Sequence, residues 1–201
     1  MRNAPVIVVL AAGRGSRYAA QGHKLAQPLG ELSVLGQTVT HAISSGLPVV
    51  VVTTERLAAE SARWVARRDV VVLPEADGTD SALGMGYSIA TGVAARPDAS
   101  GWLVLPGDMP LVRPRTLAAV AEALGQHAVV FAQYRGRRGH PVGFGAELFS
   151  ELVHLQGDEG ARRLVARYPS AGIELDDPGV LVDVDTPEDL AAVQADWPRQ
   201  A

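Results

Sequence analysis

Residues 5–13 read Pro-Val-Ile-Val-Val-Leu-Ala-Ala-Gly, and this segment indicates the fold class. An unbroken apolar run that is rich in β-branched residues and ends at glycine is typical of a strand buried on both faces. Comparable runs recur at Val49–Thr53, Val70–Leu73, Trp102–Leu105 and Ala128–Tyr134. A sheet built from such strands needs helices on both sides, because neither face can be left in water.

Segments with helical spacing lie between these runs, at Leu32–Ser45, Glu55–Arg67, Met85–Ala95 and Pro114–Leu124. The alternation of strand and helix predicts a mostly parallel, Rossmann-like sheet with right-handed crossovers. A chain of 201 residues suits one sizeable core. We therefore expect a single three-layer α/β/α domain over residues 1–201.

The last third of the chain has a different pattern. It predicts a strand at Pro141–Phe144, helices at Glu147–Leu155 and Gly160–Tyr168, and strands near Ile173 and Val182. A final helix is expected near Pro187, because Thr186 can cap it and the acidic residues after the proline suit the helix dipole.

Composition and charge disfavour several classes of function. A formal net charge of −4 argues against a sequence-blind nucleic-acid binder, because such proteins rely on a basic surface. The absence of cysteine excludes disulfides and thiolate metal sites, and it agrees with a cytoplasmic location. The apolar run at residues 5–12 is too short to span a bilayer, so we expect no membrane partner.

The loop after the first strand is the first candidate site, because ligands of open α/β sheets bind beyond the carboxyl ends of the strands. Small residues up to Gly15 would let backbone N–H groups approach an anion, and Arg14, Arg17 and Lys24 would neutralise a triphosphate. A solvated basic turn is the alternative. A P-loop is excluded because no Gly-Lys-Ser/Thr follows at the required distance, and Tyr18 at the third small position disfavours a dinucleotide site.

Two acidic residues follow later strands. Asp108 lies in a Pro-Gly-Asp-Met-Pro turn, and Mg²⁺ prefers one or two carboxylates together with phosphate oxygens and water. Asp185 precedes the final helix and can complete the metal site, with Asp183 as a second candidate because residues two apart in a strand face the same side. The alternatives are an Asx hydrogen bond in the turn and ordinary helix-start chemistry.

Cations cluster in two further segments, Arg135–His140 and Gly157–Arg163. The first is predicted to be a flexible loop, and together the two segments can hold an anionic acceptor. Pro141 favours an extended backbone at His140, which would hold the imidazole in a defined direction. The alternative is a solvated charged face.

Together these segments resemble the MobA-like nucleotidyltransferases, and within them the molybdenum cofactor cytidylyltransferases. The similar motifs stand in the family's order along nearly the whole chain. They are Leu10–Gly13 with Gly15, Arg17 and Lys24-Leu25, then Gly84–Ile89, Gly107–Pro110, Arg138–Val142, Gly157–Arg162 and Asp183–Leu190. The chain departs from the family in its longer spacer before Lys24 and in Met109, where the cytidylyltransferases commonly have glutamine.

The resemblance implies a fold of the nucleotide-diphospho-sugar transferase type and the transfer of CMP from CTP to molybdopterin, with Mg²⁺ as cofactor. The implied nucleotide-binding residues are Leu10, Ala11, Ala12, Gly13, Gly15, Arg17, Lys24, Ser88 and Asp108. The implied catalytic residues are Arg17, Lys24 and Asp108, the acceptor-binding residues Arg138, His140 and Arg162, and the metal ligands Asp108 and Asp185.

The implied partners are a nucleoside triphosphate, a small phosphorylated acceptor, and a molybdoenzyme or its chaperone. Three alternatives stay open at this point. They are a guanylyltransferase of the same fold, a sugar-phosphate nucleotidyltransferase of the same fold, and a nucleotide-sensing module without turnover.

Overall fold

Nine strands occur in the computed structural model, which describes residues 4–13, 22–74 and 84–196. They are β1 (Val6–Ala11), β2 (Pro28–Leu29), β3 (Leu32–Ser33), β4 (Val49–Thr54), β5 (Val70–Leu73), β6 (Gly101–Pro106), β7 (Val129–Tyr134), β8 (Arg137–Gly145) and β9 (Ser170–Glu174). Seven of these strands form one sheet, in the order β5-β4-β1-β6-β8-β7-β9, and β2 pairs with β3.

The α-helices of the same ranges are α1 (Val34–Ser44), α2 (Glu55–Ser61), α3 (Met85–Ala94), α4 (Pro114–Ala123), α5 (Phe149–Leu152), α6 (Arg162–Arg167) and α7 (Pro187–Asp196). Short 3₁₀-helices lie at Lys24–Ala26, Arg67–Asp69, Ala146–Leu148 and Pro178–Leu181. None of these helices is long and apolar enough to cross a membrane.

The sheet is mostly parallel. Strand β1 pairs in parallel with β4 on one side and with β6 on the other, and β5 and β9 extend the sheet in parallel with β4 and β7. Among the described strands of the seven-stranded sheet, only β8 runs antiparallel to its neighbours, β6 and β7. The predicted α/β class with a mostly parallel sheet is confirmed.

Alternate side chains of β1 fill two separate apolar layers. Ile7 and Val9 pack on the side of α1, α2, α4 and α7, whereas Val6 and Val8 pack on the side of α3, α5 and α6. All four side chains are buried, which explains why the run shows no polar alternation. The parallel arrangement brings the carboxyl ends of β1, β4 and β6 to one edge of the sheet.

The predicted helices are present but shorter than expected. Helix α1 begins at Val34 instead of Leu32, because Leu32 pairs with Leu29 in the small hairpin and Ser33 caps the helix by accepting from the Gly36 N–H at 2.9 Å. The segment predicted as a helix at residues 147–155 divides into a 3₁₀-turn and the single turn α5.

The predicted strand near Val182 is wrong. Pro178 begins a 3₁₀-helix that runs to Leu181, and residues 182–185 have no regular secondary structure. The Val184 N–H bonds the Asp108 carbonyl oxygen at 2.9 Å, and the Val184 side chain is fully buried. The alternation of valine and aspartate therefore reflects burial of a loop segment and not a strand of the sheet.

The flexible loop predicted at residues 135–140 is largely a strand. Arg135 and Gly136 alone form the turn between β7 and β8, and their φ values of 49° and 75° are those of a tight two-residue hairpin. Glu174 accepts hydrogen bonds from both turn N–H groups, at 2.5 and 3.2 Å. Arg137, Arg138 and His140 consequently lie on β8, where pairing with β7 is irregular.

Candidate active site

The turn that carries Asp108 is held from three sides. The Gly107 N–H bonds the Leu10 carbonyl oxygen at 2.8 Å, the Thr38 hydroxyl donates to the Gly107 carbonyl oxygen at 2.9 Å, and the Asp108 carbonyl oxygen accepts from Val184 at 2.9 Å. A Cβ at Gly107 would lie 2.9 Å from the Leu10 oxygen, so the close approach requires glycine. The Asp108 carboxylate is thereby fixed where β6 ends, beside the end of β1.

Lys24 joins two carboxylates at this edge of the sheet. Its Nζ donates to Asp108 Oδ2 at 2.5 Å and to Asp185 Oδ1 at 2.6 Å. The side chains of Lys24 and Asp108 are 13% and 16% exposed, and that of Asp185 is 38% exposed. Burial lowers the pKa of Lys24, but the charges and hydrogen bonds of Asp108 and Asp185 outweigh burial, and the net effect is a raised pKa.

Lys24 is also the only lysine in the sequence; all other basic side chains except the histidines are arginines. A compact ammonium group with three rotatable donors can bond two separate carboxylates at once, whereas the guanidinium fork is rigid. The residue type therefore matches the geometry of this cluster.

Asp183 and His140 lie within electrostatic reach of the same cluster. The pKa of Asp183 is raised, first by partial removal from water and then by the charges of Asp185 and Asp108. The pKa of His140 is lowered by burial. A hydrogen bond to the Val104 backbone and the charges of Asp108 and Asp183 raise this pKa, but burial outweighs them. His140 is consequently neutral at neutral pH, and its remaining ring nitrogen can accept a hydrogen bond but brings no positive charge.

Two polar atoms of the cluster are buried without a protein partner among the described residues. Asp108 Oδ1 and His140 Nδ1 have no hydrogen-bond partner within the described ranges. A free carboxylate oxygen in such a position suits a hard cation such as Mg²⁺ or Mn²⁺. No group of three or more His, Cys, Asp or Glu side chains suited to a metal ion occurs in the described ranges.

His23 connects Lys24 to the end of the first strand. Its Nε2 lies 2.9 Å from the Gly13 carbonyl oxygen, and its Nδ1 accepts from the Leu25 N–H at 3.2 Å, which places the ring proton on Nε2. The residue is 6% exposed. Burial, with a smaller contribution from Arg56 and Lys24, lowers its pKa despite the bond to Gly13. Neutral His23 thus ties the carboxyl end of β1 to the 3₁₀-turn that carries Lys24.

The other predicted nucleotide-binding residues divide into two groups. Leu10 and Ala12 are half-buried, Ala11 is buried, and Gly13 is exposed, all at the carboxyl end of β1. Ser88 is buried on α3, the first turn of which is held by a bond of 2.8 Å from the Gly86 N–H to the Gly157 carbonyl oxygen. Gly15 and Arg17 lie outside the described residues.

The two predicted acceptor-side arginines, Arg138 and Arg162, are both exposed. The Arg138 guanidinium lies over the Phe131 ring, 4.4 Å from its centroid, and is exposed. Arg162 is exposed at the start of α6. Of the three predicted acceptor residues, His140 is the one that the structure brings near the Lys24 cluster.

Two residues with structural roles in the site were missed by sequence reasoning. His23 directly precedes Lys24, and a polar residue before a short helical turn is a recognisable capping signal. Thr38 gives no such signal, because it lies in the middle of α1 and meets Gly107 across 69 residues of sequence. Contacts at that separation require the tertiary structure.

Comparison with known proteins identifies the family. Residues 7–172 match the MobA-like NTP transferase domain. The chain belongs to this family. The predicted resemblance is therefore confirmed at the level of the family, and the protein is a nucleotidyltransferase of the MobA-like type.

Individual relatives cover most of the chain. The purine catabolism protein PucB of Bacillus subtilis is 31% identical over 202 residues, covering 93% of this chain and 94% of PucB. Phosphoenolpyruvate guanylyltransferase of Mycolicibacterium smegmatis is 35% identical over 161 residues, covering 79% of this chain and 69% of the relative. The manganese complex of Rv0371C from Mycobacterium tuberculosis superposes with a TM-score of 0.79 at 28% identity, covering 97% of this chain and 100% of that chain.

Three histidines that are partly or fully removed from water make stability depend on pH. Burial is the main cause of a lowered pKa at His23, His41 and His140, each from an ordinary value of 6.5. Between the folded pKa and 6.5 the unfolded chain binds more protons than the folded protein. The contribution of these histidines to the free energy of unfolding is therefore fully present above about pH 6.5. It is lost as the pH falls toward their pKa in the folded protein.

We predict that the free energy of unfolding falls between about pH 7.5 and about pH 5.5, and that His41→Gln reduces this fall. His41 lies between the Val112 carbonyl oxygen at 3.0 Å and the Gln37 amide at 2.7 Å, and glutamine cannot gain a proton there. Urea unfolding at the two pH values measures the difference. His127→Gln, at an exposed position, is the control, and an equal fall in wild type and His41→Gln would contradict the prediction.

Proposed function

We propose that this protein is a divalent-metal-dependent enzyme that moves the CMP unit of CTP onto the phosphate of molybdopterin and releases pyrophosphate. The observation that carries the proposal is the contact of the Lys24 ammonium with both Asp108 and Asp185 at the carboxyl edge of the sheet. Phosphate chemistry needs a cation and metal-binding carboxylates at one point, and ligands of open α/β sheets bind at this edge. The product would pass to a molybdoenzyme or its chaperone.

The proposed reaction is an in-line displacement at the α-phosphorus of CTP. An oxygen of the acceptor phosphate forms the new bond to the α-phosphorus, and the bond from that phosphorus to the bridging oxygen breaks, so that pyrophosphate leaves with the electron pair. A phosphate monoester is already largely ionised near neutral pH, since its second pKa is about 6. The reaction therefore needs no general base from the protein, and catalysis consists of positioning and charge stabilisation.

Lys24 and Arg17 are the proposed phosphate ligands among the side chains of the protein. Lys24 would stabilise the negative charge that grows on the leaving pyrophosphate, and Arg17 would neutralise the triphosphate. Asp108 and Asp185 would hold a divalent metal, which when bound supplies further positive charge to the phosphate oxygens. The free Oδ1 of Asp108 supports this assignment.

The acceptor is assigned to the side of β8. Neutral His140 would accept a hydrogen bond from a donor group of the acceptor molecule through Nδ1, and Arg138 and Arg162 would supply the positive charge that His140 does not carry. The stacking of Arg138 on Phe131 is compatible with this role, because its guanidinium is exposed.

A guanylyltransferase is the second candidate, and the similarity to phosphoenolpyruvate guanylyltransferase favours it. The proposal of CTP rests on the cytidylyltransferase-like Leu10–Gly13 motif and on the methyl group of Ala12, which is half-buried beside the carboxyl end of β1. A methyl group there would narrow a base pocket in favour of a pyrimidine.

We predict that CTP binds in the presence of Mg²⁺ at least about tenfold more tightly than GTP, ATP or UTP, a difference of about 1.4 kcal/mol. Calorimetry with the four nucleotides measures this preference, and pyrophosphate release on addition of molybdopterin tests turnover. Ala12→Gly should reduce the preference for CTP over GTP. A tenfold preference for GTP would support the second candidate, and nucleotide binding without pyrophosphate release would contradict the proposed turnover with molybdopterin.

Asp108→Ala is expected to lower turnover by about a hundredfold or more while leaving the fold intact, because it removes a metal ligand from a turn. Asp185→Asn should have a similar or smaller effect. Pyrophosphate release at saturating metal measures both, and Glu122→Ala, an exposed acid on α4, is the control. If Asp183→Asn is more damaging than Asp185→Asn, the second ligand is Asp183.

Lys24→Met is expected to raise the KM for CTP and to lower kcat, because the ammonium acts most strongly as charge builds on pyrophosphate. The same change should strengthen binding of Mn²⁺ by the nucleotide-free protein on the order of tenfold, since no ammonium then competes for the two carboxylates. Kinetics and titration followed by electron paramagnetic resonance measure the two effects. Lys24→Arg keeps the charge and is the control. A change in KM alone would make Lys24 a binding residue without a catalytic role.

A further inference from the structure

Asp177 is a buried carboxylate that the proposed reaction does not use. It is 1% exposed. Its Oδ2 accepts from the Arg113 N–H at 2.9 Å and from the Thr116 hydroxyl at 2.5 Å, and its Oδ1 accepts from the Gly179 N–H at 3.1 Å. Arg113 Nε lies 4.0 Å from Oδ1 and balances part of the charge.

These contacts cap two helices at once. Arg113 is the N-cap residue of α4 and makes no side-chain capping bond of its own, so Asp177 supplies that cap from 64 residues away. Asp177 is also the N-cap of the 3₁₀-helix Pro178–Leu181. One carboxylate therefore fixes the start of this 3₁₀-helix to the start of α4.

The chain that follows Asp177 lies directly against the candidate active site. A Cβ at Gly179 would meet the Leu111 carbonyl oxygen at 2.2 Å, and a Cβ at Gly139 would meet the Val180 carbonyl oxygen at 2.1 Å. The 3₁₀-helix thus packs between the loop after Asp108 and strand β8, next to His140. Five residues after Gly179, the Val184 N–H bonds the Asp108 carbonyl oxygen at 2.9 Å.

We propose that Asp177 is a positioning residue for the metal site, because it sets where the segment that carries Asp183 and Asp185 lies along the Asp108 turn. This inference rests on the proposed function. Asp177 does not touch the metal or either substrate. It acts through Asp185, whose distance to Lys24 depends on the placement of a segment without regular secondary structure.

Asp177→Asn tests the proposal. Asparagine keeps the volume of the side chain but replaces one acceptor oxygen by an NH₂ donor, so it cannot accept on the α4 side and on the Gly179 side together. Groups that orient metal ligands typically change metal affinity by about ten- to a hundredfold when they are altered. We expect Mn²⁺ affinity of the nucleotide-free protein to fall about tenfold, and the metal concentration for half-maximal velocity to rise by a similar factor, with a smaller change in kcat at saturating metal.

Thr116→Val is the matched control. It removes one hydrogen bond to Asp177 on the α4 side and leaves the carboxylate, the Arg113 N–H and the Gly179 N–H in place. Both variants should lose thermal stability, but Thr116→Val should keep Mn²⁺ affinity within about twofold of wild type. If Asp177→Asn does not fold, Asp177→Ser is used, because serine can still cap the 3₁₀-helix but is too short to bridge to α4.

The outcomes distinguish a failure of the role of Asp177 from a failure of the proposed function. If wild type binds Mn²⁺ and a folded Asp177 variant binds it with the same affinity, the proposed role of Asp177 is wrong. The proposed function is then unaffected. Equal losses of affinity in Asp177→Asn and Thr116→Val would show a purely structural role and would also overturn it. If wild type shows neither Mn²⁺ binding nor metal-dependent pyrophosphate release, the proposed function itself is wrong.

Discussion

The candidate active site depends on one ammonium group held between two carboxylates. Lys24 is separated from Asp108 by 84 residues and from Asp185 by 161 residues, so this contact joins the beginning, the middle and the end of the chain. Two neighbouring carboxylates repel each other unless a cation lies between them. Partial burial strengthens both this repulsion and the attraction of each carboxylate to the cation. Other contacts hold the three partners in place. His23 bonds the end of β1 next to Lys24, and Gly107 fixes the turn that carries Asp108. Asp177 fixes the start of the segment that leads to Asp185.

The sequence predicts the sheet well because burial on both faces leaves a strong signal. The uninterrupted apolar run of β1 divides its side chains between two layers, so no polar position interrupts it. The failure near Val182 has the opposite cause. Valine alternates with aspartate there as in a half-buried strand, yet Val184 is buried against the Asp108 turn and its N–H is already bonded to that turn. Alternation reports which side chains are buried and does not report what the backbone pairs with.

The β7–β8 hairpin shows that a charged, glycine-containing sequence also does not reveal what its backbone pairs with. Arginine and glycine at residues 135–139 favour a solvated loop, and the contact with Glu174, 38 residues beyond Gly136, supports the tight turn. For the site, the residues at the strand ends could be found because their position in an α/β sheet follows from the order of elements. Thr38 and Asp177 could not, because each acts on a backbone group that is distant in sequence.

The charges around Lys24 give a reason for a divalent cation that does not depend on the family. Within the described residues, Asp108 and Asp185 both bond a single ammonium, and the pKa of nearby Asp183 is raised first by partial burial and then by the charges of Asp185 and Asp108. His140 adds no positive charge at neutral pH, because burial lowers its pKa. A triphosphate and a phosphorylated acceptor would bring several further negative charges to this edge of the sheet. One lysine cannot balance them, so the cluster is suited to substrates that arrive together with a metal ion.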